Sequence, residues 1–331
     1  MGCEMKIYNS ILEAIGNTPM VKLNRVTKGI EADVFAKCEF MNPSGSIKDR
    51  IALKMIEEAE KEGLLKHGGT VTDSSTGNTA IALSFVCAVK GYKSKMCMPK
   101  GWISEDRRKT LESYGADILE VDPGEEIEQE LKDKDVHGGV LELLPRKKCL
   151  EMEVNDRGIW WARQALNPNN IKAHRETTGK EIVEQTDGKV DAFVAAIGTG
   201  GTLLGVYEAL KEVNPNIKVY AVEPSSSSLF QTETKIRKYM EKYDIPGITG
   251  WIISEIKKMN IIEKTYLIED KEAIEMAHRL CKEEGLFCGI SSGANVYVAC
   301  CVAKTLGKGK RIVTILPDSR YRYFKEEHFT T

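Results

Sequence analysis

Lys48 is the residue of this sequence best placed for covalent or acid–base chemistry. It lies in the segment NPSGSIKDR (42–50), which has the pattern of a helix start. Ser46 can cap the helix, and Asp49 three residues later can complete a capping box, which puts Lys48 near the second helical position. A permanent ammonium is disfavoured there, because the amino end of a helix carries partial positive charge. A neutral amine, or a nitrogen bound in an imine, would remove this conflict.

Three glycine-containing turns each follow a predicted strand and open a predicted helix, which is where open α/β sheets bind ligands. The first turn, SSTGNTA (74–80), offers hydroxyls, Asn78 and backbone N–H groups that suit a carboxylate-sized anion at a helix amino end. In isolation, ordinary turn and cap chemistry explains these residue types better. The third turn, CGISSGAN (288–295), places Ser291 and Ser292 at another helix start, either as caps or as a hydroxyl partner for a ring nitrogen.

The second turn, IGTGGTLLG (197–205), has the composition of a phosphate site. Its glycines let several N–H groups converge on one anion, and its threonines add hydroxyl donors. The residues concerned are Gly198, Thr199, Gly200, Gly201 and Thr202. A dinucleotide site is the rival interpretation and is helped by Glu223 at the end of the next predicted strand. However, the third glycine of the G-x-G-x-x-G pattern is replaced by Leu203.

A reactive lysine, a phosphate cup without a fixed cation, a carboxylate cup and a lone hydroxyl together indicate one cofactor, pyridoxal phosphate. Lys48 would carry it as an imine, which removes the full positive charge from the helix start. A ring nitrogen facing Ser291 would stay largely unprotonated, because a neutral hydroxyl cannot stabilise a pyridinium as a carboxylate would. Such a ring is a moderate electron sink, adequate for removing a Cα proton and expelling a β-substituent.

A parallel sheet would bring these turns together, and the sequence alternates strands and helices in the way that builds one. The predicted helices from residue 70 onward are 79–90, 104–114, 202–213 and 271–284. The predicted strands are TVTD, KSKMCMP, ADILEV, VDAFVAAIG, IKVYAVEP and RIVTILP. Residues 123–160 are charged and irregular in pattern, and we interpret them as a solvated excursion between two domains.

Composition favours a small-molecule partner in a reducing compartment. The 331 residues are enough for two domains, and 47 Lys plus Arg against 49 Asp plus Glu give a net charge of -2. No long run of one charge is available to bind nucleic acid or anionic lipid. The cysteine count of 9, without zinc-like pairing, favours reduced thiols and no metal site. No signal region or membrane-length apolar stretch is found, so we expect a cytoplasmic protein.

Three further segments, IGNTPMVKLNRV (15–26), HRETTGKEI (174–182) and LPDSRYRY (316–323), complete a pattern that spans nearly the whole chain. Together with the three turns, and in this order, they make the sequence resemble a known family. This family is the cysteine synthase and cystathionine β-synthase group of fold-type II pyridoxal phosphate enzymes.

The resemblance implies an α/β fold similar to that of the tryptophan synthase β chain. Two domains would each have a central, mostly parallel twisted sheet flanked by helices. Residues 42–164 would form a smaller, mobile domain that closes on the substrate. Residues 1–41 and 165–331 would form a larger domain that binds the cofactor phosphate. The resemblance also implies a homodimer.

Site residues follow from the same resemblance. Lys48 resembles the Schiff-base lysine that also moves protons, Asn78 the residue bonded to the ring oxygen, and Ser291 the partner of the ring nitrogen. The phosphate loop corresponds to Gly198, Thr199, Gly200, Gly201 and Thr202. The segments that bind the substrate carboxylate correspond to Ser75, Thr76, Gly77, Thr79 and Gln164.

The departures from the family pattern lie on the substrate side. Ser75 and Thr76 exchange the order of the usual hydroxyls, Ala165 replaces an aromatic residue, and Arg320 replaces a glycine. The family's glycine-rich stretch is not recognisable in residues 124–160. The sequence therefore determines the cofactor better than it determines the substrates.

The implied reaction is β-replacement on a small β-substituted L-amino acid through an α-aminoacrylate, as in cysteine synthesis from O-acetylserine and sulfide. The altered substrate side keeps open a cysteine lyase that releases hydrogen sulfide, with water, a thiol or a second cysteine as acceptor and serine or lanthionine as a product. From a different class, an NAD-dependent dehydrogenase would use Glu223 but leave Lys48 without a role. A non-catalytic binding module on the same fold would hold ligand without β-elimination. Docking of an acyltransferase partner is also left open.

Overall fold

The chain forms two sheets with helices on their faces. The structure, a computed structural model, describes residues 7–122, 142–225 and 252–324. The strands are β1 (Met20–Lys22), β2 (Asp33–Cys38), β3 (Thr70–Ser74), β4 (Lys93–Pro99), β5 (Asp117–Val121), β6 (Ile159–Trp161), β7 (Ala192–Ala196), β8 (Lys218–Pro224), β9 (Ile262–Ile268) and β10 (Arg311–Leu316). The helices are α1 (Lys48–Lys61), α2 (Asn78–Lys90), α3 (Glu105–Ser113), α4 (Leu143–Asn155), α5 (Pro168–Ala173), α6 (Lys180–Gln185), α7 (Gly201–Val213), α8 (Ile252–Met259), α9 (Asp270–Arg279) and α10 (Ile290–Leu306). Short turns of tighter or wider helix occupy Ile11–Ala14, Glu39–Met41, His174–Gly179, Leu280–Glu284 and Arg320–Tyr323.

The larger sheet has six strands in the order β1-β2-β10-β7-β8-β9. β1 runs antiparallel to β2, and the other neighbours are parallel. Alternate residues of β7 point to opposite faces of this sheet. Ala192 and Val194 belong to the same core as the apolar residues of α10, whereas Phe193 and Ala195 belong to the core formed with α7. The sheet is therefore covered on both faces, as the near-continuous apolar strands predict.

The smaller sheet has four parallel strands in the order β5-β4-β3-β6. α2 is the helix most deeply buried against it, and Ala80, Leu83 and Val86 are fully buried. The helix ends at Gly91, whose φ of 79° is the left-handed conformation that glycine adopts without strain. Both sheets confirm the predicted α/β fold class.

The start of α1 lies where the cores of the two sheets meet. Ile47, directly before the helix, packs into the core of the larger sheet. Ile51 and Met55, one and two turns into the helix, pack into the core of the smaller sheet. Lys48 therefore sits at the junction of the two layers. The domain boundaries at residues 42 and 164, and the mobility of the smaller domain, stay predictions.

The six predicted strands and four predicted helices from residue 70 onward are present, and most of their ends differ from the prediction by one or two residues. The exception is 271–284, where α9 ends at Arg279 and the wider turn Leu280–Glu284 continues it. The short strand predicted before the third turn is absent from the described part of the chain, because Cys288 forms only an isolated bridge with Ser319. Among the described helices, none is long and apolar enough to cross a bilayer.

The predicted capping box at Ser46 and Asp49 is wrong. Ser46 Oγ accepts from Lys48 N at 3.3 Å, but the Asp49 carboxylate accepts from Ser44 N at 2.7 Å and from the Ser44 hydroxyl. Ile47, not Ser46, occupies the N-cap position and makes no side-chain cap bond, and Lys48 is the first residue of α1. The chain turns at Ser44 earlier than the motif requires, and Asp49 reaches back to that turn. Lys48 still lies in the first helical turn.

The interpretation of residues 123–160 as an irregular excursion is wrong for the part that can be compared. Residues 123–141 lie outside the described residues. The remainder forms α4 and β6, and β6 pairs in parallel with β3. Leu143 and Cys149 of α4 are fully buried, and Pro145 lies in the first helical turn, where its missing N–H costs little. The charged residues conceal this apolar face in the sequence.

A buried group of charges fixes the start of α1 to the larger sheet. Arg50 binds Glu39 at 2.7 Å and Glu181 at 2.6 Å, and Lys37 of β2 binds Glu181 at 2.6 Å. Lys37 and Glu39 are fully buried, and Arg50 is 3% exposed. Burial alone would raise the pKa of Glu181, but the hydrogen bonds and charges of Arg50 and Lys37 hold it at about 2. The group remains charged at neutral pH and ties α1, β2 and α6 together.

Arg50→Met should destabilise the protein by about 3–5 kcal/mol, because it leaves the buried Glu39 carboxylate and the mostly buried Glu181 carboxylate short of their partner. The free energy of unfolding in urea measures this loss. Lys22→Met is the matched control, since it breaks the Lys22–Asp33 pair at 2.5 Å, whose side chains are 50% and 40% exposed. That change should cost at most about 1 kcal/mol. Equal losses in the two variants would contradict the role given to Arg50.

Candidate active site

A cavity of about 280 Å³ lies at the carboxyl ends of the central strands of the larger sheet. It is bounded by the start of α1, the turn after β7 and the start of α10. The carboxyl ends of β7 and β10 reach this edge because parallel strands point the same way, and the bridges Ser46–Asp318 and Cys288–Ser319 hold the starts of α1 and α10 to the segment after β10. The predicted site residues that line the cavity are Lys48, Asn78, Gly198, Thr199, Gly200, Thr202 and Ser291.

Lys48 points its amine into this cavity and has an altered basicity. Burial lowers the pKa of Lys48 from its ordinary value to about 8, and the nearby Asp318 and Glu142 carboxylates oppose this shift. Within residues 7–122, 142–225 and 252–324, no hydrogen bond or salt bridge engages the Lys48 amine. The amine is therefore available, and a useful fraction of it is neutral near neutral pH.

The glycine turn after β7 is shaped by close packing. Gly200 has a φ of 91°, a left-handed conformation that favours glycine. A Cβ at Gly201 would overlap the Asn170 amide, so only glycine fits there. Asn170 Nδ2 donates to Thr199 Oγ1 at 3.0 Å and to the Gln164 carbonyl at 2.7 Å. No described residue accepts from the N–H groups of Gly198, Thr199 and Gly200, so these donors are free for an anion.

His174 contacts the same turn through its side chain. Residue type and spacing did not predict a functional role for it. Its Nε2 lies 3.1 Å from Thr202 Oγ1, and its Nδ1 lies 3.0 Å from Thr178 Oγ1. Burial, together with the charges of Lys48 and Arg50, holds the pKa of His174 well below its usual range. The imidazole is therefore neutral and orients the Thr202 hydroxyl. The spacing of His174 and Thr178 in a helix could have suggested their contact, but nothing local points to residue 202.

Two further residues missed from the sequence are Asn170 and Asp318. Asn170 is fully buried, and its Oδ1 has no partner among the described residues. Asp318 Oδ2 accepts from Asn78 Nδ2 at 2.7 Å, and the Asp318 carboxylate also contacts the Tyr323 hydroxyl. Asn and Asp in turns are common, so their residue types alone gave no signal.

The predicted substrate loop borders the cavity without lining it. Thr79 Oγ1 donates to Gln164 Oε1 at 2.5 Å, and Gly77 N donates to Ser75 Oγ at 3.2 Å. Gln164 N in turn donates to the buried carboxylate of Asp73 at 3.1 Å. The structure thus brings Thr79 and Gln164 together from segments far apart in sequence. Glu223, the residue of the rival dinucleotide interpretation, is not among the residues that line the cavity.

Comparison with known proteins identifies the family. Residues 11–318 match the family of pyridoxal-phosphate dependent enzymes. The chain belongs to this family. Its cofactor class is therefore the one that the sequence predicted, and the protein is a pyridoxal phosphate-dependent enzyme.

Individual members of the pyridoxal-phosphate dependent family are similar to this chain along almost its whole length. A cysteine synthase of Staphylococcus aureus is 41% identical over 319 residues, which are 96% of each protein. The structure of a hydrogen sulfide-producing enzyme from Fusobacterium nucleatum has a TM-score of 0.80 and 34% identity, and covers 96% of this chain and 100% of that chain. The structure of a cysteine synthase from Entamoeba histolytica has a TM-score of 0.81 and 32% identity, and covers 100% of this chain and 93% of that chain.

The cavity of this family member fits pyridoxal phosphate on structural grounds. Free N–H groups, a turn in which a Cβ at Gly201 would clash, and neutral His174 suit the phosphate end. An unpaired lysine amine of lowered pKa suits the aldehyde end. The Ser291 hydroxyl lies in the wall of the same cavity.

Gly201→Ala should destabilise the protein by about 1–3 kcal/mol, the range for an overpacked buried site. The added Cβ would force Asn170 out of its contacts with Thr199 and Gln164. Gly198→Ala is the matched control, since a Cβ there meets nothing within 4 Å. Thermal and urea unfolding of both variants make the comparison, and a loss in Gly198→Ala as large as that in Gly201→Ala would refute the packing account.

The lowered pKa of Lys48 predicts early reaction with an amine reagent. Because deprotonation exposes the nucleophilic form, the rate at Lys48 should rise through pH 8, whereas ordinary lysines rise toward their reference pKa of about 10.4. Trinitrobenzenesulfonate labelling of cofactor-free protein between pH 6 and 11, followed by peptide mapping, measures each lysine separately. A midpoint for Lys48 near that of the exposed lysines would contradict the shift.

Proposed function

We propose that this protein is a cysteine synthase-like β-replacement enzyme acting on a small β-substituted L-amino acid, with O-acetylserine and sulfide as the substrates. The observation that carries this assignment is that the Lys48 amine and the glycine turn after β7 line one cavity. The 41% identity to a Staphylococcus aureus protein named cysteine synthase supports the choice of substrates.

The cofactor residues are assigned from the family resemblance, and all of them except Gly201 line this cavity. Lys48 would hold the cofactor through its amine, Asn78 would donate to the ring oxygen, and Ser291 would face the ring nitrogen. The phosphate would rest on the turn residues Gly198, Thr199, Gly200, Gly201 and Thr202. Neutral His174 keeps the Thr202 hydroxyl oriented without adding a positive charge beside Lys48.

Pyridoxal phosphate, when bound, supplies the electron-withdrawing ring that makes the Cα proton removable and the β-substituent able to leave. Lys48 acts as the base that accepts this proton, because a pKa of about 8 leaves part of the amine neutral under working conditions. Ser291 offers a neutral hydroxyl rather than a carboxylate, so the ring nitrogen keeps little positive charge. The neutral partner at the ring nitrogen favours elimination over prolonged carbanion chemistry.

The substrate carboxylate would bind at the amino end of α2. The residues assigned to it are Ser75, Thr76, Gly77, Thr79 and Gln164. Thr79 and Gln164 are already joined by a hydrogen bond, and Asn170 links Gln164 to Thr199 of the phosphate turn. A substrate that shifts this loop would therefore act on the phosphate turn as well. Closure of residues 42–164 over the bound substrate would exclude water from the site.

A second candidate function is a cysteine lyase that releases hydrogen sulfide and forms serine, a thioether or lanthionine. Glu142 favours it, because its carboxylate acts on Lys48 and its carbonyl accepts from Ser74 Oγ at 3.5 Å, at the start of the substrate loop. The Glu142 carboxylate also pairs with Arg146 at 2.6 Å, which fixes it near the start of the substrate loop. The structural relative with a TM-score of 0.80 is a hydrogen sulfide-producing enzyme.

A homodimer, expected from the family resemblance, and a cytoplasmic location, expected from the cysteine content, complete the proposed function. Sedimentation equilibrium of the purified protein tests the dimer, which predicts twice the monomer mass of 36.9 kDa.

Product analysis by mass spectrometry distinguishes the two candidates. The loaded enzyme is mixed with O-acetylserine plus sulfide, and separately with L-cysteine. A kcat/KM for cysteine formation that is much higher than the kcat/KM for sulfide release supports synthesis. The reverse ratio supports the lyase. Failure to convert either substrate would refute β-replacement.

Lys48→Ala is the control for the role of the amine, and it should reduce turnover by at least about 1,000-fold while the protein stays folded. The loss follows because both cofactor attachment and proton transfer depend on one nitrogen. Circular dichroism checks the fold, and the visible absorption of bound cofactor checks attachment. Wild-type turnover in this variant would end the assignment.

A further inference from the structure

The amide of Asn78 is held between two groups of opposite hydrogen-bonding character. Its Nδ2 donates to Asp318 Oδ2 at 2.7 Å, and its Oδ1 accepts from Arg322 Nη1 at 2.6 Å. A guanidinium has only donors, and a carboxylate has only acceptors. The amide therefore cannot turn over without losing both bonds, and its orientation is set by chemistry.

Asp318 is itself fixed by the main chain around it. Its carbonyl accepts from Gly289 N at 3.0 Å, and residues 46 and 318 form an antiparallel bridge. A Cβ at Gly289 would overlap Asp318 Oδ1, so the carboxylate packs directly on the residue that precedes α10. Asp318 thus spans the start of α1, which carries Lys48, and the start of α10, which carries Ser291.

Arg322 is anchored at its other end by the turn before α1. Its second amino group donates to the Ser44 carbonyl, while Nη1 holds Asn78. Burial lowers the pKa of Arg322, and Asp318 and Asp49 oppose that change. The guanidinium lies between two carboxylates and serves as a fixed donor to Asn78.

One hydrogen of Asn78 Nδ2 remains after the bond to Asp318 is counted. A carboxamide nitrogen carries two N–H groups, and no other described residue accepts from this nitrogen. Asn78 also lines the cavity into which Lys48 points. The second hydrogen is therefore available to an acceptor held in that cavity.

We propose that Asp318 and Arg322 are positioning residues that set the orientation of the Asn78 amide, so that its free N–H is offered to an acceptor in the Lys48 cavity. This inference rests on the proposed function, in which the acceptor is the ring oxygen of pyridoxal phosphate. Neither residue needs to touch the cofactor. Asp318→Asn would give position 318 a donor as well as an acceptor, which removes one of the two constraints on the Asn78 amide and leaves Arg322 as the other.

The test uses the enzyme loaded with pyridoxal phosphate. In Asp318→Asn, we expect the cofactor dissociation constant to rise about 3- to 10-fold, the effect of one lost hydrogen bond. The visible absorption band should also move, because the ring oxygen loses its fixed donor. The kcat should fall while KM changes little. Arg322→Met tests the same orientation from the other side of the amide and decides the matter if Asp318→Asn does not fold.

A double-mutant cycle separates positioning from general stability. If Asp318 acts through Asn78, Asp318→Asn should cause no further change of band or affinity in an Asn78→Ala background. Tyr323→Phe removes a different donor from the same carboxylate and should leave the band in its wild-type position. Equal effects of Asp318→Asn in both backgrounds, or an unmoved band in Asp318→Asn and Arg322→Met, would overturn the inference.

Failure of this inference is distinguishable from failure of the proposed function. A wild-type protein that gains no visible band with pyridoxal phosphate would refute the cofactor site itself. A wild-type band that depends on Lys48 but is indifferent to Asp318 and Arg322 would refute only the positioning role.

Discussion

The burial of the Lys48 amine is the constraint on which the site depends. An ammonium loses hydration in this position, and the Asp318 and Glu142 carboxylates restore only part of what is lost, so its pKa falls to about 8. The start of a helix adds to the same effect. The amine is kept in place because Ile47 and Ile51, on either side of it, are anchored in different cores. A group that would be costly as a permanent charge is thus useful as a nucleophile and base.

Sheet topology explains why a few short turns suffice to build the site around that amine. The parallel strands place the turn after β7 at one edge of the larger sheet, and the Cys288–Ser319 bridge holds the start of α10 there, beside the start of α1. Hydrogen bonds then run from the substrate side to the phosphate side through Thr79, Gln164, Asn170 and Thr199. The proposed substrate loop and the proposed phosphate turn are therefore joined by direct contacts.

Much of the fold was accessible from the sequence, because its strands are short apolar runs and its helices end at glycines such as Gly91. The predictions that were wrong or missing have physical causes. The apolar face of α4 is hidden among charged residues, and its contact with the sheet depends on distant strands. Asp49 was assigned to Ser46 by a local motif, but the turn at Ser44 supplied a closer donor. His174 and Asn170 could not be assigned, because their partners lie about 30 residues away in sequence.

The sequence by itself determined the class of chemistry: a lysine at a helix start, a glycine turn suited to phosphate and a serine in place of a carboxylate. These features are local, since residue type and spacing already set the backbone freedom and the available donors. Only the tertiary structure decided which groups surround the amine and how Asn78 is oriented. Those properties arise from Asp318, Arg322 and Glu142, which are remote in sequence and approach the site only when the two sheets pack together.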